Sequence, residues 1–337
     1  MILEDNAIKL SVVLNHAGAF ESIRKTIRHV GEQTALSEME LILVSTEVNA
    51  RTIDRATLVS IPRWRSVIVS ELPYGAAGWA AGIREAVGAA VVLAEDHSYP
   101  SPNWAATLIE GHKMGYVVVV PEMKNGNPTT LVSWANFHLT FIEWFRPKGC
   151  GEVPRGPGHN SSYDKSALLE MGGDLTRWLL SEAVLHEKMV SKGLRIFLDA
   201  RCFTRHVNLS KPQALLSHSF HGGRLFGSSR AMNWGLLKRV VYALSFPLVP
   251  VVRLKRLFGF LHEPDRRKEA KLFRALPWTA AALMCHAFGE AVGYLRGSGN
   301  SISVYQAFET RRLDFVVESD RNLILESELD QHPSFEH

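Results

Sequence analysis

The 337-residue chain is 46% hydrophobic and 21% charged, ordinary figures for a globular protein long enough for one large α/β domain plus a smaller appendage. Its three well-separated cysteines, Cys150, Cys202 and Cys285, exclude a disulfide framework and a zinc pattern and suit a reducing compartment. The net charge of +4 hides an asymmetry: Arg195 to Ala275 holds 16 Lys/Arg against 4 Asp/Glu, and Ser303 to His337 holds 8 acids against 3 bases. A basic stretch of this kind can meet nucleic acid, anionic lipid or phosphorylated ligands.

Acids precede a strand-like run between Met1 and Lys9, which predicts no secretory leader. Ile8 to Leu14 is a β-branched run of strand length, and Phe20 to Gln33 spaces Phe20, Ile23, Ile27 and Val30 as an amphipathic helix. Met39 to Val44 and Ser66 to Ser70 read as strands, Ala76 to Val87 as a helix, and Ala89 to Ala94 as a fourth strand. A helix over Ala105 to Met114 and a strand over Tyr116 to Val120 follow. The alternation predicts an α/β fold with an open sheet, parallel at its centre, and helices on both faces.

Trp134 to Trp144 is aromatic-rich and reads as helical, and Lys148 to Gly158 as an irregular Gly/Pro loop. Helices are expected over Asp164 to Met171 and Leu179 to Lys192, then a strand over Leu194 to Leu198. Beyond about Phe226 aliphatic runs mix with basic clusters, and Ala275 to Leu295 is nearly apolar but carries His286 and Glu290. Some twenty apolar residues suffice to span a bilayer. The ionisable pair and nearby prolines fit helices lying in the interface at least as well. A helical subdomain packed on the α/β domain is the alternative. The expected division is 1–225, a basic and apolar helical region over 226–300, and an acidic tail over 301–337.

The segment richest in chemistry follows the fourth strand, where the apolar run empties into Glu95-Asp96-His97, then Pro100, Pro102 and Trp104. Packed carboxylates and a histidine are costly to bury unless they meet a cation or water. The carboxyl end of a strand is where open α/β sheets place ligands.

Five segments in one order resemble family 2 glycosyltransferases of the GT-A fold: the first βα unit (SVVL, FESIRKTIRHVGEQT), MELILV, GWAAGIREAVGAAVVLAEDHSYPSPNW, HNSSYDKSALLEMGG and SEAVLHEKMVSKGLRIFLDARCFTRH. The resemblance implies a Rossmann-like GT-A sheet and inverting transfer of a sugar from a nucleotide-diphosphate sugar to a hydroxyl. It implies a divalent metal, Mn2+ or Mg2+, at Asp96, His97 and His206, in a segment whose outer Asp-x-Asp positions are Glu95 and His97. Histidine suits manganese better than magnesium. Glu182 falls on the catalytic base, and Asn15, Glu47, Glu95, Asp96, His159 and Asn160 fall on the nucleotide-sugar site.

The chain departs from the family pattern at Asn15-His16, at Ser45-Thr46-Glu47 and at Trp79-Ala80, which points to a divergent donor site. Arg224 and Arg230 are candidates for an acceptor phosphate or lipid headgroups. The basic, apolar C-terminal region suggests a lipid-linked or envelope glycan acceptor, as in polysaccharide biosynthesis. It also suggests a cytoplasmic protein attached, peripherally or integrally, to the inner face of the cell membrane, with no nucleic-acid partner. The alternatives are a non-catalytic glycosyltransferase-like protein that binds a nucleotide or a membrane, and a nucleotidyltransferase, against which the lack of an N-terminal glycine-rich phosphate loop weighs.

Overall fold

The computed structural model describes residues 7–72, 75–145, 149–180 and 182–326. In chain order the first elements are β1 (Leu10–His16), α1 (Phe20–Gly31), β2 (Met39–Thr46), α2 (Glu47–Ala50), β3 (Trp64–Val69), α3 (Gly75–Glu85), β4 (Ala90–Ala94) and β5 (Ser98–Pro100). Next come α4 (Trp104–Lys113), β6 (Val118–Asn125), α5 (Leu131–Thr140), β7 (Gly151–Glu152), β8 (Ser162–Asp164), α6 (Lys165–Leu169), α7 (Leu175–Leu179), α8 (Glu182–Ser191) and β9 (Ile196–His206). The remainder is helical: α9 (Pro212–Arg230), α10 (Leu236–Leu244), α11 (Leu248–Phe260), α12 (Pro264–Glu269), α13 (Leu272–Arg296), α14 (Ser301–Thr310) and α15 (Glu318–Glu326).

Two compact units result: Met1–Lys124 with Trp144–His206, and Asn125–Glu143 with Val207–His337. The division differs from the boundary expected near residue 225, because α9 runs unbroken through that position.

The first unit is built on one mixed sheet, in the order β3-β2-β1-β4-β8-β6-β9-β5 with β7 pairing β9. β1 runs parallel to β2 and β4, and β2 to β3. β8 is antiparallel to β4 and β6, and β9 is antiparallel to β5 and β7.

Side chains alternate across β1, so its two faces feed two layers. Leu10, Val12 and Leu14 pack with Phe20, Ile23 and Ile27 of α1 and with Trp104 and Leu108 of α4. Val13 points the other way, toward α3, where a Cβ at Gly82 would lie 2.3 Å from Val13 Cγ1. A strand buried on both faces cannot show simple alternation, which is why β1, β2 and β4 read as continuous apolar runs.

The second unit is centred on the α9–α13 pair. A Cβ at Gly223 would come within 2.0 Å of the His286 carbonyl oxygen, and one at Gly227 within 2.2 Å of that of Glu290. From the other side, Gly289 and Gly293 face the carbonyls of Phe220 and Arg224 at 2.0 and 2.3 Å. Each helix thus carries two glycines four residues apart, and backbone meets backbone along the seam.

The segment expected as an acidic tail begins folded. Asp320 is fully buried and accepts from Asn127 Nδ2 at 3.0 Å and from the Thr129 hydroxyl. Residues 327–337 of that tail lie outside the described residues. Among the described residues no helix is long and apolar enough to cross a membrane. α13, the candidate span, instead buries Glu290 and packs much of its length on α9.

Candidate functional site

β4 delivers Glu95, Asp96 and His97 at its carboxyl end, and the chain turns at once into β5. The pairing of β5 with β9 sets Ser98 opposite His206. That register brings a histidine from more than a hundred residues away to the acidic turn. His97 Nε2 and His206 Nε2 lie 3.1 Å apart, and the Glu95 carboxylate is 3.8 Å from the first and 3.5 Å from the second. All three side chains are buried.

His97 and Glu95 are each held from behind. Asp96 Oδ1 accepts from His97 Nδ1 at 2.5 Å, so the Nε2 lone pair of His97 faces the cluster. Glu95 Oε2 accepts from Ser98 Oγ at 2.9 Å and from Asn160 Nδ2 at 2.8 Å. Asn160 has φ +63°, a left-handed conformation that asparagine tolerates, and its N–H donates to the Leu93 carbonyl at 2.8 Å.

This arrangement suits a cation. Metal–ligand bonds of ~2.0–2.2 Å set neighbouring donors about 3.0–3.4 Å apart around one ion. The 3.1 Å separation lies in that range, and those of 3.5 and 3.8 Å would need to contract by only a few tenths of an ångström or less. A ligating histidine commonly gives its other N–H to a carboxylate, the relation Asp96 has with His97. Three donors turned toward one another in a buried space would otherwise be electrostatically costly.

Glu182, the first residue of α8, reaches the site through His159. His159 Nδ1 is 3.2 Å from Glu182 Oε1, and its Nε2 is 3.9 Å from Glu95 Oε1. The His159 ring lies against Trp79 at 5.0 Å, and Trp79 Nε1 donates to the Ala94 carbonyl at 3.1 Å. A Cβ at Gly158 would fall 1.9 Å from Glu182 Cγ, so glycine there makes room for the carboxylate arm.

α8 is anchored one turn further on. The Gly156 N–H donates to His186 Nδ1 at 3.3 Å. His186 Nε2 and the Tyr163 hydroxyl are 3.0 Å apart, and that hydroxyl donates to the Gly158 carbonyl at 3.1 Å. The Gly156 contact assigns the proton of neutral His186 to Nε2. Burial pushes the His186 imidazole down to about 4, so it stays neutral near pH 7. Burial, with the Glu182 charge nearby, holds the Tyr163 phenol well above its usual range.

The other expected residues fall elsewhere. Asn15 ends up beside α3, where its Nδ2 donates to the Gly75 carbonyl at 2.9 Å. Its Oδ1 is buried with no hydrogen-bond partner among the described residues and lies against α3, where a Cβ at Gly78 would fall 1.9 Å from it. Glu47 opens α2, is largely exposed and pairs with Arg51 at 3.0 Å. No contact among the described residues joins it to the cluster.

Arg224 and Arg230 belong to the second unit. Arg224 Nε donates to the Gly297 carbonyl at 2.8 Å and so closes the C-terminus of α13. Arg230 lies over the rings of Phe226, Trp234 and Tyr242, at 5.9, 5.4 and 5.2 Å.

Sequence reasoning did not reach Ser98, Tyr163, the spacing role of Gly158 or the platform at Trp79. Only the long-range register between β5 and β9 and the folding of the 156–163 loop bring these groups together.

No family model matches the chain, and no characterised protein matches it by sequence. Solved structures do resemble it. One is a mannosyltransferase from Pyrobaculum calidifontis in complex with GDP-Man and Mn2+, with a TM-score of 0.56 at 14% identity, covering 86% of this chain and 87% of that one. The likeness shows the fold, an α/β glycosyltransferase-like one.

Proposed function

We propose that the protein is a glycosyltransferase that moves a sugar from a nucleotide-diphosphate donor to a hydroxyl acceptor with inversion at the anomeric carbon. The observation that carries this reading is the meeting, at the carboxyl end of β4, of a metal-type donor set with the carboxylate of Glu182, joined to it through His159. The structural neighbour's complex with GDP-Man and Mn2+ supports it.

Glu95, His97 and His206 would hold a divalent cation, with Asp96 orienting His97 and with Ser98 and Asn160 orienting Glu95. Two imidazoles favour manganese over magnesium, which prefers oxygen. When bound, the cation would neutralise charge growing on the diphosphate leaving group. Glu182 takes the acceptor hydroxyl proton as the oxygen forms its bond to the anomeric carbon and the bond from that carbon to the diphosphate oxygen breaks. His159 orients the Glu182 carboxylate, and the His186–Tyr163 contact fixes the helix that presents it. Asn15, near the end of β1, lies on the donor side in this reading. A lipid-linked or envelope glycan is the acceptor class in this reading.

Glu182→Gln tests the assignment, with transfer followed as release of the nucleoside diphosphate. General-base loss costs ~10²–10⁴-fold in rate, and donor affinity should change little. Near wild-type turnover in this variant would remove Glu182 from the mechanism. Absence of turnover in the wild-type protein with every donor would favour a non-catalytic, nucleotide-binding role.

A further inference from the structure

The second unit carries an apolar face that nothing in its own fold covers among the described residues. The inner side of α10 is accounted for: Ala243 packs with Ala291 and Tyr294, flanked by Trp234, Tyr242 and Phe246. Its outer side is not. Leu237, Val241 and Leu244, spaced four and three residues apart, form one exposed stripe, and Leu237 and Leu244 are 79% and 74% exposed. α11 repeats the pattern with Leu248, Val251 and Val252 exposed, while Pro250 and Leu257 are buried. A contiguous apolar surface of this kind marks an interaction site.

Charge identifies what the face would meet. From Phe226 to His262 there is no Asp or Glu, against Arg230, Lys238, Arg239, Arg253, Lys255 and Arg256. Lys238 and Lys255 are exposed beside the two stripes. A cavity of about 300 Å³ joins the helices, with Leu248 and Val252 on its apolar wall, Arg253 and Arg256 in its lining, and the buried Glu290 of α13 at its inner side. Aliphatic surface bordered by cations, with no acid contributed by α10 or α11, is the chemistry of a helix lying in the plane of an anionic bilayer. A protein partner with an acidic rim would leave the aliphatic stripes needing an equally apolar counterpart. The chain's own residues 327–337 are acidic but bring only Leu329 and Phe335 as large apolar groups.

We infer that the outer faces of α10 and α11 dock on an anionic phospholipid surface, with the aliphatic stripes entering the acyl boundary and the flanking lysines and arginines contacting headgroup phosphates. The helices would lie in the interface without crossing it. This docking is independent of the transferase reading, because it requires neither donor nor metal.

The test is co-sedimentation of the full-length protein with vesicles of phosphatidylcholine alone and of phosphatidylcholine with about a third phosphatidylglycerol. Binding to the anionic vesicles is expected to exceed binding to the neutral ones and to weaken in ~1 M salt, where the screening length falls to ~3 Å. The double variant Leu237→Glu/Leu244→Glu should reduce partitioning by about tenfold or more. Lys238→Glu/Lys255→Glu, which alters exposed positions only, should weaken binding to anionic vesicles specifically. Equal sedimentation of wild type and both variants, or no sedimentation with anionic vesicles, overturns the inference. So does a lipid-free dimer, seen by light scattering, that the Leu237→Glu/Leu244→Glu variant dissociates, which would assign the face to a second copy of the chain.

Discussion

His97 and His206, 109 residues apart in the chain, face each other through their Nε2 atoms at 3.1 Å, and Asp96 holds the far nitrogen of His97. Two neutral imidazoles so placed can share at most one proton between them, whereas a cation would use both lone pairs. The relation explains why Asp96, though central in the acidic turn, sits behind His97 rather than among the three facing groups.

Asp96→Asn should therefore weaken Mn2+ binding by about 10–100-fold, the usual effect of losing a carboxylate behind a metal-binding histidine. Calorimetric titration checks the affinity, and the melting temperature without metal should stay close to wild type. Unchanged affinity would mean that Asp96 has no part in orienting His97.

The α9–α13 seam gives a stability prediction free of any functional reading. Gly227→Leu places a side chain where even a Cβ meets the Glu290 carbonyl oxygen at 2.2 Å. The helices must separate, at a cost of about 3 kcal/mol or more. Urea unfolding measures it against Gly149→Ala, where a Cβ meets nothing within 4 Å.

Stability should also fall on mild acidification. Burial lowers His186 and His138 from 6.5 to about 4 in the folded protein. Between those values the unfolded chain binds protons that the folded one does not, so stability is lost as pH falls from about 6.5 to about 4 and levels off below. Each group contributes on the order of 3 kcal/mol across that window. Melting temperature against pH for wild type and His186→Gln checks this, and the variant should show the shallower slope.

Much of the sheet was legible in the sequence. β1, β2 and β4 are apolar runs bounded by polar turns, and α1 shows its buried stripe directly, so local pattern sufficed. The short strands β5, β7 and β8, of two or three residues each, left no periodicity to read. They nevertheless decide the site, since β5 sets His206 beside the acidic turn. The helix expected over Leu179 to Lys192 is α8, which begins at Glu182, so Glu182 stands in its first turn. The glycine pairs of α9 and α13 lay in plain view within HGGRLFG and FGEAVG. Their meaning depended on knowing that the two helices touch.

The central claim is that Glu95, His97 and His206 form a metal site that nucleotide-sugar binding requires. The most direct measurement is the melting temperature of wild type and His206→Ala with UDP-, GDP- and dTDP-sugars, each with and without Mn2+. A donor at ~100 times its dissociation constant adds ~2.7 kcal/mol. That shift is expected for wild type with one nucleotide class and only when Mn2+ is present, and it should be lost in His206→Ala. A donor shift of equal size without the metal, or one retained in the variant, would contradict the central claim.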